Sequence, residues 1–414
     1  MVSVLIKYYV LDFVRSKKEP GSFFHWISLW EIWPKNPAKV GAAGFKLGIM
    51  DVMDLQKTAE DSRGIVAVYW WKKESSAVRK FFETSSLGEL LDIQEFRHEE
   101  YEVSVLYPAT LFSEDVSSWL SILSGGAFID PDLYLAQVYW PKKFLNPIKG
   151  PRWGLAGLKK NLYWPSSACL VGMLTPFHGV SLSEMKKALI EFGKEGADIL
   201  LDDERLMDPP ACPFEARLEM GLKAAIEVEK HTGRKVVYVP NVTDRPDRLV
   251  KKLERVISLK GKGVAVNPYT SGMGSLSVAS EMLKGKGFVV AQKNFAGPWL
   301  RQIAPELALV EIPWLCGADV ILCPGMGEFA SLDKRSLERV ALRLKQPLGD
   351  LLAPGLWVTI PSGIHEMESM VDLLGKDIGF VCLMGGADGF RGSGQKAKQL
   401  KEAIVRAAIS GVRG

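Results

Sequence analysis

In the second half of the chain, short continuously apolar runs alternate with amphipathic stretches. The runs are Cys169–Leu174, Ala197–Leu201, Val236–Val239, Gly263–Val266, Gly287–Ala291, Val320–Cys323, Leu356–Ile360 and Ile378–Leu383. Unbroken apolarity, rather than alternation, predicts strands buried on both faces. Between them, Ser183–Glu195 places Met185, Leu189 and Phe192 at helical spacing behind a cap at Ser181 or Ser183. Glu215–His231 stops at a Thr-Gly pair. Arg245–Ser258, Ser275–Leu283, Arg301–Leu315, Ser331–Leu344, Glu366–Leu374 and Gln395–Ala408 supply the remaining helices. Strand followed by helix, repeated to the end of the chain, predicts a closed parallel (β/α)8 barrel rather than an open doubly wound sheet.

Upstream the pattern changes. Val2–Val10, Gly64–Trp71, Glu95–Tyr107 and Leu133–Trp140 read as strands, several of them alternating, and Val52–Ala59, Ser75–Phe82 and Val116–Leu123 as helices. The mixture predicts a ferredoxin-like α+β domain over residues 1–140, ahead of a barrel domain over residues 141–414. Pro141–Trp164, rich in Pro, Gly, Lys and Trp, makes the connection.

Composition narrows the class without naming it. A chain of 414 residues exceeds one ordinary core, and 47% hydrophobic with 24% charged residues fits a globular protein. A net charge of +4 with no lysine-rich run gives no case for nucleic-acid binding. Cys169, Cys212, Cys316, Cys323 and Cys382 include no CxxC pair, which fits reduced buried thiols. Apolar runs stay short of a membrane span, and the first residues show no basic and then apolar leader; the expectation is a cytoplasmic protein that does not engage membranes.

In a barrel of this kind chemistry collects where strands end. The seventh and eighth ends carry Ser362-Gly363 and Gly385-Gly386, where backbone amides free of a Cβ could approach a phosphate. Tight strand–helix turns would use the same glycines. Asp202-Asp203-Glu204 follows the second strand and could supply oxygens to a hard cation such as Mg2+; an acidic cluster at a helix start is the competing reading. His178 and His365 lie on mouth loops, as proton carriers or as structural residues. Lys293 adjoins Asn294 and faces the Asn241 loop. It is a counter-charge for phosphate, or a base, or a solvent-facing lysine.

These segments together resemble the RuBisCO large-subunit superfamily over nearly the whole chain. Gly196-Ala-Asp-Ile-Leu-Leu-Asp-Asp-Glu204 is similar to the family's strand-two motif Gly-x-Asp-Phe-x-Lys-Asp-Asp-Glu. Tyr238-Val-Pro-Asn-Val-Thr243 resembles its Tyr-Leu-Asn-x-Thr segment, and Ser362-Gly363-Ile364-His365 its Ser-Gly-Gly-Ile-His. Gly385-Gly386 resembles its triple-glycine stretch, and Tyr107-Pro-Ala-Thr-Leu-Phe112 and the Lys149-Gly-Pro-Arg-Trp-Gly154 segment its linker landmarks. The resemblance implies a first-domain and barrel pairing in a homodimer, with Glu60 reaching the neighbouring subunit's site. It implies substrate contacts at Thr175, Asn241, Asn294, Ser362, Gly363, Gly385 and Gly386, and metal positions at Asp203 and Glu204.

The departures from the family pattern imply a different chemistry. In carboxylating members the strand-two lysine becomes a carbamate that completes a Mg2+ site, and here that position is Leu201. The strand-one lysines are Thr175 and Phe177. The strand-five His-Arg pair is Asn294-Phe295, the strand-six histidine is Leu322, and the family's Thr-Trp after the first-domain glutamate is Ile65-Val66. Mg2+ is therefore expected to bind weakly at most. The resemblance implies a RuBisCO-like, non-carboxylating protein acting on a phosphorylated keto-sugar by enolisation or isomerisation, with Lys293, His178 and His365 as acid–base candidates. A sugar-phosphate-binding protein without catalysis is the alternative.

Overall fold

The computed structural model describes residues 11–13, 26–28, 52–62, 64–72, 80–81, 87–162, 168–175, 178–326, 332–360, 365–386 and 389–410. Packing divides the chain into two compact units, Met1–Ile49 and Met50–Gly414. In the first, β1 (Leu11–Phe13) pairs antiparallel with β2 (Trp26–Ser28). The strand expected over Val2–Val10, and most of the helix expected over Ser75–Phe82, lie outside the described residues.

The second unit opens with helix Val52–Ser62 and an antiparallel sheet of β3 (Gly64–Lys72), β4 (Glu89–Arg97), β5 (Glu100–Pro108) and β6 (Leu133–Tyr139). Their order, β4-β5-β3-β6, with helix Val116–Ser124 between β5 and β6, is the ferredoxin-like arrangement. One expected strand, Glu95–Tyr107, is in fact the hairpin of β4 and β5. The chain reverses at His98–Glu99, where Glu99 takes a φ of 58°. No Gly or Pro marks that reversal, so a run of strand-like residues reads straight through it.

The barrel follows as β7 (Cys169–Leu174), β8 (Ile199–Asp202), β9 (Val237–Val239), β10 (Gly263–Val266), β11 (Phe288–Ala291), β12 (Val320–Cys323), β13 (Gly355–Thr359) and β14 (Ile378–Leu383). Parallel pairing runs in order from β10 through β14 to β7, β8 and β9. The ring closes through a parallel bridge between Asn241 and Ala265, with Val242 N–H donating to Ala265 C=O at 2.9 Å. The eight strands fall where the apolar runs predict them, to within two residues at either end.

Alternation along these strands sorts the core into two layers. Cys169, Val171, Met173, Ile199, Leu201, Val239, Ala265, Val290, Leu322 and Val381 pack together inside the ring. Leu170, Leu174, Leu200, Val264, Val289 and Ile321 pack outward with the helices. The helix after β7 starts at a suggested cap, where Ser181 and Glu184 form a reciprocal capping box, whereas the helix expected from Ser331 starts at Lys334, capped by Asp333. The helix expected over Arg301–Leu315 differs. It breaks into a π-turn at Glu306–Glu311 and an α-turn at Ile312–Leu315, because Pro305 and Pro313 cannot donate to a continuous ladder.

Between β6 and β7 the architecture changes from antiparallel to parallel, and packing continues across that change. Leu135 N–H donates to Gln302 C=O at 2.7 Å, and Ala304 N–H to Leu135 C=O at 3.0 Å, so β6 is joined to a barrel loop. Gln302 Nε2 also donates to the carbonyls of Phe128, Asp130 and Leu133. Trp140 Nε1 donates to Glu311 at 2.7 Å. Asp319, buried at the foot of β12, accepts from the Trp153, Gly154 and Val289 amides and pins the connecting segment. No helix among the described residues is long and apolar enough to cross a membrane. All five cysteines are buried free thiols.

Candidate active site

Two residues beyond the last inward apolar side chain, the strands place polar residues over the barrel's apolar plug: Thr175, Asp203, Asn241, Asn267 and Gln292. The acidic triplet is split among three environments by this alternation. Asp202 points the other way, toward helix Phe214–Thr232, and is fully buried. It accepts from Arg217 Nε at 2.8 Å, from the Tyr238 hydroxyl at 2.5 Å and from Asn241 N–H at 2.9 Å. Arg217 spends its other donors on the carbonyls of Leu206, Met207 and Cys212. Burial, then the Asp202 carboxylate, drives the Tyr238 hydroxyl well above its ordinary range. This cluster fixes the turn and has no donor to spare for a ligand.

Asp203 faces the mouth side and is clasped. Arg205 donates to it through N–H at 2.8 Å, Nε at 2.8 Å and Nη2 at 2.7 Å, and the Thr175 hydroxyl donates to Oδ2. Burial alone would push its carboxyl up, but the Arg205 and Thr175 bonds outweigh burial and hold it below the usual carboxylate range. Glu204 is 5% exposed. It accepts from Lys293 Nζ at 2.8 Å, Lys293 N–H at 2.7 Å and Asn294 N–H at 2.7 Å. The turn that aims these amides ends at Phe295, which is 64% exposed and adopts a left-handed φ of 67°. An aromatic residue in that region carries strain of about 1–3 kcal/mol.

The candidates among the described residues each have a place. Lys293 does not point to solvent; it is an ion-pair partner at the mouth, with its side chain 15% exposed. Asn241 is spent on scaffolding, its Nδ2 donating to the Asp203 and Glu204 carbonyls and its Oδ1 accepting from Thr243 N–H. Asn294 contributes its backbone to Glu204 and, through its carbonyl, to Asn267. His178 is exposed on the turn after β7, and His365 opens helix His365–Leu374. Glu60 accepts from Lys142 N–H at 2.9 Å, on the helix preceding β3. Ser362 and Gly363 lie outside the described residues.

In the described half of the glycine wall both backbone amides have partners within the chain. Gly385 N–H donates to Thr175 C=O at 2.8 Å, and Gly386 N–H to Gly389 C=O at 2.9 Å, so neither amide is open to an anion. An amide already bonded within the chain is not available to an anion, and a glycine pair in sequence does not distinguish that from a nest. Gly386 does keep open space: a Cβ there would meet nothing within 4 Å. Leu201 is fully buried in the inward layer beside Met173 and Val239, which excludes a carbamate at that position. Among the described residues no group of three His, Cys, Asp or Glu side chains is arranged to hold a metal. Burial pushes the Cys323 thiol, at the end of β12, up to about 12, which disfavours its thiolate.

Sequence reasoning does not single out two residues that matter here. Arg205 follows the triplet directly, and its signal was simply adjacency. Gln292 is 1% exposed, and neither polar atom of its side-chain amide has a hydrogen-bond partner among the described residues. A buried amide left so costs about 1–3 kcal/mol per group, so a water or ligand at this layer is the physical expectation.

Fold and site define a class: a ferredoxin-like sheet followed by a (β/α)8 barrel whose C-terminal face presents two buried carboxylates, each paired with a cation. The family model for the ribulose bisphosphate carboxylase large chain, catalytic domain, matches residues 154–294. A 2,3-diketo-5-methylthiopentyl-1-phosphate enolase of Geobacillus thermodenitrificans is 27% identical over 318 residues, covering 75% of this chain and 76% of that protein. The structure of a Rubisco-like protein from Rhodopseudomonas palustris superposes with a TM-score of 0.74 at 23% identity, covering 83% of this chain and 97% of that one. A dimeric archaeal Rubisco from Hyperthermus butylicus gives 0.72 at 20% identity, covering 84% and 91%. Over these stretches the chain is similar to the RuBisCO large-chain superfamily.

Proposed function

We propose that this protein is a non-carboxylating enzyme that moves a proton next to a carbonyl of a small phosphorylated ketone. The observation that carries the reading is the Lys293–Glu204 pair, a partly accessible ammonium held at 2.8 Å on a fixed turn at the barrel mouth. A fixed cation beside a carbonyl oxygen stabilises the charge that develops there as the neighbouring C–H bond breaks. His178, on its exposed turn, and His365, at a helix start, are the proposed proton carriers. Ser362 and Gly363 are the proposed phosphate contacts, with the open space at Gly386 leaving room for the anion. The enolase name of the 27%-identical relative supports the substrate class.

The test is deuterium exchange at the carbon next to the carbonyl of 2,3-diketo-5-methylthiopentyl-1-phosphate, followed by NMR. Lys293→Met should cost at least about a hundredfold in rate, the scale of losing one preorganised electrostatic contact. Binding without exchange in any phosphorylated ketone would leave a non-catalytic binding protein. Ribulose bisphosphate with labelled bicarbonate should yield no fixed carbon, because Leu201 cannot carry the carbamate. We also propose a homodimer, supported by the dimeric state named for one similar structure and checked by sedimentation.

A further inference from the structure

The mouth carries two carboxylates where family resemblance implies a divalent cation, and the donor set does not fit one. All four oxygens of Asp203 and Glu204 already accept hydrogen bonds: Oδ1 from Arg205 N–H and Nε, Oδ2 from Arg205 Nη2 and Thr175, Oε1 from Lys293 Nζ, and Oε2 from the Lys293 and Asn294 amides. The third position is the buried, apolar Leu201. Two carboxylates and two protein cations sum to no net charge. Mg2+ asks for about six oxygens at about 2.1 Å and gives up its water reluctantly. To enter here it would have to break at least one ion pair and then sit beside the displaced cation.

We infer that Lys293 and Arg205 are resident cations that occupy this acidic pair in place of a divalent metal, with Lys293 supplying the positive charge toward a ligand oxygen. The two cations divide the work by geometry. Arg205 is bidentate on Asp203 through a planar fork, which consumes that carboxylate's in-plane lone pairs. Lys293 makes a single side-chain bond among the described residues, to Glu204, and an ammonium has three donors. Its remaining N–H groups can meet a ligand oxygen. Glu204 is in turn held by two backbone amides, so the ammonium is positioned by the chain itself and not by a flexible stem alone. The ligand-directed role rests on the proton-transfer reading above. The masking of the carboxylates does not.

Mn2+ titration of the full chain, followed by the electron paramagnetic resonance of the free ion, separates the two. The wild type should leave Mn2+ free at millimolar concentration, and about 10 mM Mg2+ should leave its Tm unchanged, since a ligand that binds the native state must raise it. The Lys293→Met/Arg205→Met double variant uncovers both carboxylates and should bind Mn2+ at least tenfold more tightly. Lys293→Arg, which keeps a cation, should behave as the wild type. Stoichiometric Mn2+ binding by the wild type at micromolar concentration overturns the inference, as does a folded double variant that binds no better than wild type. If the double variant does not fold, the wild-type and Lys293→Arg titrations still decide. Loss of proton exchange with no change in this metal pattern would strike the proposed function alone.

Discussion

Asp202, Asp203 and Glu204 are adjacent in sequence and differ in what they do because each meets a different donor. Asp202 closes a fully buried pair with Arg217. Removing one partner from such a pair strands the other charge and costs about 3–5 kcal/mol. Asp202→Ala should therefore lower stability by that amount in urea unfolding, with no selective effect on ligand affinity. Asp203 behaves otherwise. With its carboxyl held below the ordinary range, it contributes stability present above the unfolded pKa of about 3.9 and lost as pH falls through the lower, folded value. Asp203→Asn should lower Tm at neutral pH, and its gap from the wild type should close as pH drops below about 4. A gap that is constant from pH 7 to pH 3 would refute the clasp.

Among the elements, helix Phe214–Thr232 and β9 fix the triplet's geometry through close approach. A Cβ on Gly221 would lie 2.3 Å from the Tyr238 ring, the ring whose hydroxyl holds Asp202. Gly221→Ala should thus cost about 1–3 kcal/mol by overpacking and loosen the acidic turn. Gly386, where a Cβ meets nothing, is the control: Gly386→Ala should leave Tm nearly unchanged in a thermal scan. Equal losses at the two positions would mean that helix packing does not set the turn. The β4–β5 hairpin and the π-turn at Glu306–Glu311 illustrate the limit of periodicity. Both depend on local backbone geometry that a hydrophobic pattern does not encode.

For the molecule as a whole, the antiparallel sheet and the barrel act as one compact unit because β6 is tied to the loop at Gln302. Three carbonyls share that one side-chain amide. Gln302→Ala should destabilise the unit by about 1 kcal/mol, the net scale of lost hydrogen bonds to half-buried acceptors. If the two halves are cooperative through this contact, denaturant curves followed in the sheet and in the barrel should coincide in the wild type and separate in the variant. Coincident curves in both would place the coupling elsewhere, at the Trp140–Glu311 bond.

The sequence by itself determined the barrel, its eight strands and most of its helices, because continuous apolarity and helical spacing are local signals that burial on both faces enforces. It also placed the mouth residues in order along the rim, and the Leu201 departure. What it could not determine was who binds whom. Lys293 and Glu204 are far apart in the chain and meet only because β8 and β11 end on the same rim. Asp202 turns outward while Asp203 turns inward because alternation continues past the strand end. The Gly385 amide is consumed by Thr175 at the end of β7 and the Gly386 amide by Gly389, partners that composition does not reveal. Whether a donor is free or spent depends on its nearest neighbours in space, and only the tertiary structure supplies those.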